Sequence, residues 1–182
     1  YDALNKGIAM SKGEVIGILH SDDVFAYPEV LDDVAKKMSD TNVDACYGDL
    51  KYVDRNDMSR TVRKWKSKDF KRELFYSGWM PAHPTFFLRA KHFVSFGGYD
   101  LSFFTAADYE LMLRMLFKNC LNAVYISKEM VKMRVGGQSN VTWKNRWIAN
   151  QEDARAWVVN GVKAKWYTRW LKPLSKIGQF LG

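Results

Sequence analysis

The stretch EVIGILHSDD, residues 14–23, sets the reading of everything around it. Val15-Ile16-Gly17-Ile18-Leu19 is an unbroken apolar run of the kind that a strand covered on both faces of an α/β sheet requires, so 14–20 is expected to be a strand. Ser21-Asp22-Asp23 follows abruptly at its carboxyl end, where an open α/β sheet leaves its ligand crevice. Upstream, Leu4, Ile8 and Ala3 share one stripe and Gly13 sits where a helix would stop, which predicts a short helix over 2–11. Downstream, Pro28 suits the first turn of a helix in which Val30, Leu31, Val34 and Met38 recur at helical spacing.

The rest continues as alternating elements. Strands are expected over 43–47, 50–53 and 60–65, joined by turns at Gly48-Asp49 and Arg55-Asn56-Asp57. Residues 70–76 read as helix and 81–84 as extended, because a residue preceding proline avoids the helical region. A strand over 85–88, a short helix over 90–96 ended by Gly97-Gly98, a longer helix over 108–117, a strand over 124–133 and a helix over 144–159 complete the pattern. The fold class is therefore α/β.

The chain has 182 residues, 47% hydrophobic and 26% charged, which suits one compact domain or a domain with a tail and excludes a disordered chain. No run nears the roughly 20 apolar residues that cross a bilayer, and no signal-peptide pattern opens the chain, so the cytoplasm is the expected location. Cys46 and Cys120 lie far apart with no His or Cys at ligand spacing, which indicates neither a zinc site nor a disulfide framework. The net charge of +8 is unevenly spread: residues 1–50 hold four Lys/Arg against ten Asp/Glu, and residues 51–150 hold eighteen against eight. A carboxylate-bearing or cation-binding site in a protein that meets anions fits this division. The chain opens on Tyr1, within a helical pattern, so it is expected to be a piece of a longer protein.

Three places could carry chemistry. Asp22 and Asp23 are oxygen donors of the sort that hold a hard divalent cation against substrate phosphates, although one of them could equally be a turn or capping residue. Asp108 falls at i with Met112 and Met115 at i+4 and i+7, so the acid shares a face with inward residues; it reads either as a general base at a pocket rim or as an acid stabilised by the helix dipole. His83, between prolines and after Trp79 and Met80, is stiffly presented as a ligand contact or a packed histidine.

Together these residues resemble a family. YDALNKGI at 1–8, Gly13-Glu14, the strand ending His20-Ser21-Asp22-Asp23, WMPAHPTFFLRAKHF at 79–93, GGYD at 97–100, AADYELMLRM at 106–115 and MRVGGQSN at 133–140 look like, in order, an inverting family 2 glycosyltransferase of GT-A fold. The resemblance covers about 1–142 and is greatest to non-processive bacterial enzymes of exopolysaccharide, colanic-acid or O-antigen synthesis. It implies a Rossmann-related mixed sheet flanked by helices. It also implies Asp23 as ligand to Mn²⁺ or Mg²⁺ on the donor diphosphate, Asp22 near the ribose or donor sugar, and Asp108 as base. His83 and Trp79 become acceptor or donor-sugar contacts, and Asp2, Asn5 and Lys6 nucleotide neighbours. The implied partners are a nucleotide-sugar donor, UDP-sugar first, and a glycan or lipid-linked acceptor. Two departures stand out: nothing corresponds to the family's N-terminal nucleotide-binding half, and Gln138 is not followed by the QXXRW element of processive synthases.

Residues 143–182 read as a helical tail, in which Trp166, Trp170, Leu174, Ile177 and Leu181 recur opposite Lys163, Lys165, Arg169, Lys172 and Lys176. Such a segment can lie on an anionic membrane, here the inner face of the plasma membrane, or dock its tryptophans on the domain. Two rivals to the enzyme reading are an inert remnant and a basic nucleic-acid module built on Trp65, Phe70 and their Lys/Arg neighbours, although no nucleic-acid motif is present and no nucleic-acid partner is expected.

Overall fold

The fold is described from a computed structural model, which covers residues 1–136 and 143–168, without the side chains of 143–147. In chain order the elements are α1 (Asp2–Met10), β1 (Val15–Gly17), β2 (Val24–Phe25), α2 (Val30–Met38), β3 (Ala45–Val53), β4 (Thr61–Trp65), β5 (Phe87–Arg89), α3 (Ala90–Phe96), α4 (Ala107–Met112), β6 (Ala123–Arg134) and α5 (Trp143–Val159). Arg72–Ser77 and His83–Thr85 are 3-10 turns, and α4 runs on as a π-helix over Leu113–Lys118. The strands form one mixed sheet in the order β1-β5-β3-β6-β2, with β4 paired to the far part of β3. Among the described residues only β3 and β6 pair in parallel; the other pairs are antiparallel.

Both faces of this sheet are covered, as side-chain alternation on β3 shows. Ala45 and Tyr47 point into a core shared with Phe75, Leu88, Met112, Met115, Phe117 and Trp157. Cys46 and Leu50 point the other way, against α2, Ile126, Met130 and Val131. α2 buries Val30, Val34 and Met38 at i, i+4 and i+8, and its Asp32 and Asp33 in the first turn and Lys36 and Lys37 in the last complement the helix dipole. α5, the first part of the stretch assigned to the tail, carries Ala156 and Trp157 into the main core, where the Trp157 ring lies 4.9 Å from that of Phe117. Among the described residues no helix is long and apolar enough to cross a membrane. Trp170 and most of the basic, aromatic stretch that follows lie outside the described residues.

Three local expectations need correction. The expected turn at Gly48-Asp49 is absent, since β3 is one strand of nine residues. Gly48 serves a close approach instead: between Tyr47↔Tyr125 and Leu50↔Val131, β6 advances six residues where β3 advances three. The side chain of Met130 fills the space that a Cβ at Gly48 would occupy, and the Lys128 carbonyl lies 2.9 Å from that position. Next, β1 spans only three of the seven residues predicted as strand, because the chain turns toward β2 after Ile18 and Leu19. β2 itself, two residues long, carries too little pattern to be predicted. Finally, His83–Thr85 is a 3-10 turn rather than extended chain, held by the Thr85 hydroxyl, which donates to the carbonyls of Ala82 (2.8 Å) and Gly48 (3.0 Å).

Gly48→Ala is expected to lower the unfolding free energy by about 1–3 kcal/mol through overpacking. In urea titrations the loss should shrink, without vanishing, in a Met130→Ala background, because the Lys128 backbone remains in the way.

Candidate active site

β1 delivers the chain to the first wall of the site. After Leu19 a tight turn forms, its Asp23 N–H donating to the His20 carbonyl at 3.0 Å. The turn sends Asp22 outward into solvent and Asp23 inward, where it is 5% exposed. Neither carboxylate oxygen of Asp23 has a hydrogen-bond partner among the described residues. Burial, reinforced by the charge of Asp22, pushes the Asp23 carboxyl up to about 6. The His20 imidazole pulls it down, as does the Arg134 backbone N–H, which lies near without making a hydrogen bond of ordinary geometry.

The second wall is the His83–Thr85 turn. His83 is buried, its ring 5.9 Å from that of His20 and its Nε2 2.6 Å from the Tyr99 hydroxyl. Burial lowers the His83 pKa; the negative charge of Asp108 raises it and the neighbouring His20 lowers it. Tyr99 is fixed in turn from the far end of the chain. Asn5 donates from Nδ2 to the Tyr99 carbonyl and accepts the Tyr99 N–H at Oδ1, both at 2.8 Å. Gly98 permits this approach, since a Cβ there would run into Asn5 Oδ1. The Tyr1 ring stacks on Tyr99 with centroids 5.3 Å apart, and the Tyr1 hydroxyl donates to the Thr105 carbonyl at 3.3 Å.

The third wall is the start of α4. Asp108 lies in its first turn, half-buried, with Oδ1 accepting the Tyr109 N–H at 2.8 Å. Met112 and Met115 on the same stripe are fully buried, as the spacing predicted. Burial raises the pKa of Tyr1 and of Tyr99, and in both the charge of Asp108 adds to the effect. Tyr52 is raised by burial and lowered by Arg63, and the charges of both Asp23 and Asp108 raise it further. The two acids, 85 residues apart in sequence, thus act on the same tyrosine from β3.

α4 is held by a buried ion pair. Glu110 takes two Arg114 N–H groups at 2.8 Å each, and Arg114 also donates to the carbonyls of Phe96, Gly97 and Gly98. The Gly-Gly turn before Tyr99 is thereby tied to the helix that bears Asp108.

The remaining sequence candidates occupy other settings. Asp2 and Lys6 form an exposed ion pair of 2.7 Å on α1, and Asn5 binds the Tyr99 backbone as described. Trp79 is buried edge-on against Tyr47, ring centres 6.0 Å apart, with the Lys68 ammonium 5.8 Å from its ring centre. Of the aromatics invoked for a nucleic-acid face, Phe70 packs edge-on against Phe75 and Trp65 is half-buried beside Arg63. Tyr1, His20 and Tyr99 were not singled out from the sequence. Tyr99 lies inside GGYD, yet nothing in the spacing connects it to Asn5.

Among the described residues no three His, Cys, Asp or Glu side chains converge to cage a metal. A hard cation that keeps its water and phosphate ligands needs only one or two carboxylates. The orphaned oxygens of Asp23, beside the exposed Asp22, fit that requirement.

Known proteins share this arrangement of elements. A profile of the family described as glycosyl transferase family 2 matches residues 1–96. This chain belongs to glycosyltransferase family 2. Two Mycobacterium tuberculosis proteins from different strains, both named uncharacterized glycosyltransferase, are 31% identical to it over 118 residues, covering 63% of this chain and 43% of theirs. The crystal structure of S. aureus TarS 1–349 in complex with UDP shares the fold, with a TM-score of 0.59 at 14% identity over 92% of this chain and 47% of that one. The sheet is accordingly that of a GT-A glycosyltransferase. The chain spans a little under half the length of these relatives.

Because Asp23 is raised from the ordinary 3.8 to about 6, ionising it costs the folded state more than the unfolded one, so its destabilisation grows as pH rises from about 4 to 6 and then stays constant. With chelator present, Asp23→Asn should therefore gain about 1–3 kcal/mol of unfolding free energy near pH 8 and nothing below about pH 4. Denaturant titrations at the two pH values check both halves.

Proposed function

We propose that this site transfers a sugar from a nucleotide-sugar donor to the hydroxyl of a glycan or lipid-linked acceptor, with inversion, in the synthesis of a cell-surface polysaccharide. The observation that carries the reading is the placing of the buried, unpartnered Asp23 and the half-buried Asp108 around one group of side chains: His20, His83, Tyr99 and Tyr52. Family membership supplies the reaction class, and the UDP bound by TarS favours a uridine nucleotide.

In this reading Asp23 holds Mn²⁺ or Mg²⁺ and Asp22 faces the ribose or donor sugar. When bound, the cation stabilises the charge that builds on the departing diphosphate. On the other side of the sugar, the Asp108 carboxylate accepts the proton of the attacking hydroxyl. A single displacement between groups on opposite sides inverts the anomeric centre. His83, kept neutral by burial and aimed by Tyr99, offers its imidazole edge to a sugar hydroxyl, and the tyrosines exclude water from the reacting carbon. The basic, aromatic residues after 162 provide contact with an anionic membrane surface, where a lipid-linked acceptor would be met.

Asp108→Asn is expected to keep UDP and Mn²⁺ binding within about twofold while transfer falls roughly 10²- to 10⁴-fold. Asp23→Ala should abolish the metal-dependent heat in titrations with UDP. Wild-type turnover in Asp108→Asn would remove the base, and a parent protein with no metal-dependent heat would favour an inert remnant.

A further inference from the structure

α5 reaches the catalytic wall through one carboxylate. Glu152 accepts the backbone N–H groups of Phe104 (2.6 Å), Thr105 (2.7 Å) and Ala106 (2.9 Å), and the Thr105 hydroxyl at 2.7 Å. Three of these donors meet at Oε2 and the fourth at Oε1. These donors belong to the three residues that lead into α4, which starts at Ala107 and has no side-chain cap of its own. Burial pushes the Glu152 carboxyl up, but the hydrogen bonds outweigh it and hold it below the usual range.

The same helix grips the segment on both sides of that point. Arg155 donates to the Ser102 carbonyl (3.0 Å) and hydroxyl (2.7 Å), with its guanidinium 4.5 Å from the Phe103 ring centre. Beyond Asp108, the Trp157 indole donates to the Tyr109 hydroxyl and Asn160, the residue that follows α5, donates to Glu110, each at 3.0 Å. Asp108 accepts the next residue's N–H at 2.8 Å and lies against the Tyr1 hydroxyl, whose pKa is raised by burial and by Asp108. Its direction is therefore set by Tyr1 and by the backbone on either side of it, and Glu152 grips that backbone at Thr105, whose carbonyl also accepts the Tyr1 hydroxyl, and at Ala106.

We propose that Glu152 is the positioning residue for Asp108: by bracing, from a distant helix, the segment that leads into α4 it fixes the direction in which the base presents its carboxylate. The inference rests on Asp108 acting as the base. It also gives α5 a part in the transfer step, in addition to its place in the core.

The test is a double-mutant cycle on the transfer rate with Glu152→Gln and Asp108→Asn, thermal melts confirming folding, and Arg155→Ala as a control on the same segment. Glu152→Gln keeps the shape and weakens the acceptor. It should lower kcat about 10- to 100-fold with donor KM within about twofold, since misdirecting a reacting group costs rate more than binding. Arg155→Ala should stay near the parent rate. In the Asp108→Asn background, Glu152→Gln should leave the residual rate unchanged, because the residue acts through the lost base. An unchanged kcat in Glu152→Gln, or a full further loss in the Asp108→Asn background, overturns the positioning role. If Asp108→Asn turns over at the parent rate, the base assignment fails, whatever Glu152 does. Should Glu152→Gln melt early, Glu152→Asp decides: partial recovery of kcat is expected, and melting recovered without kcat rejects the proposal.

Discussion

Tyr99 is the joint on which the arrangement depends. Its backbone is gripped in both directions by Asn5, its ring is stacked by Tyr1 and its hydroxyl meets His83. These contacts bind the first helix, the Gly97-Gly98 turn and the His83 turn into one unit, and Arg114 extends it into α4. Asp108 starts that helix. Without the joint, the acid on α4 and the acid beyond β1 would belong to separate parts of the chain. A stacked aromatic that is also hydrogen-bonded at both ends gains specificity beyond its buried area, which suits a point where four segments meet.

The sheet supplies the fixed frame for this joint. The parallel β3–β6 pair is covered on both faces, and the register shift opposite Gly48 is accommodated because that position has no side chain. Thr85 connects the same point to the His83 turn through the Gly48 carbonyl. One glycine thus serves the packing of Met130 on one face and, through its carbonyl, the seating of the site's second wall. Sequence patterning alone assigned it to a turn, since Gly-Asp is ordinarily a loop signal and the bulge that requires it lies some 80 residues away in β6.

What the sequence made legible follows from the range of the forces involved. Helical stripes survive where a sheet or core covers them: Val30, Val34 and Met38 on α2, and Met112 and Met115 along α4, are buried as their spacing required, whereas Leu31 of the same predicted stripe is exposed and α1 leaves Leu4 and Ile8 only half-buried. Short elements set by long-range pairing do not show locally, so β2 and the early end of β1 had no signature. Asp22, Asp23 and Asp108 stood out because acids at a strand tip or on an apolar helix face are locally anomalous. Tyr99 and Glu152 did not, because Tyr99 is fixed by Asn5 across 94 residues of sequence and Glu152 finds its donors across 46 to 48. Asn5 came to notice through resemblance to the family as a nucleotide neighbour, whereas its amide lies on the Tyr99 backbone.

In the proposed function a cation sits at Asp23, next to the His20–His83 pair. The chain has three histidines, and they are well placed to report on it: His20 and His83 face one another at the site, while His92 lies on α3, paired with Asp44 at 2.7 Å at the start of β3. The most direct measurement is a Mn²⁺ titration of the protein with UDP, followed by the paramagnetic broadening of the three imidazole resonances. With the cation at Asp23, His20 and His83 should broaden first, His92 should persist, and Asp23→Asn should remove the difference. Broadening of His92 ahead of the other two, or broadening of His20 and His83 that survives Asp23→Asn, would contradict it.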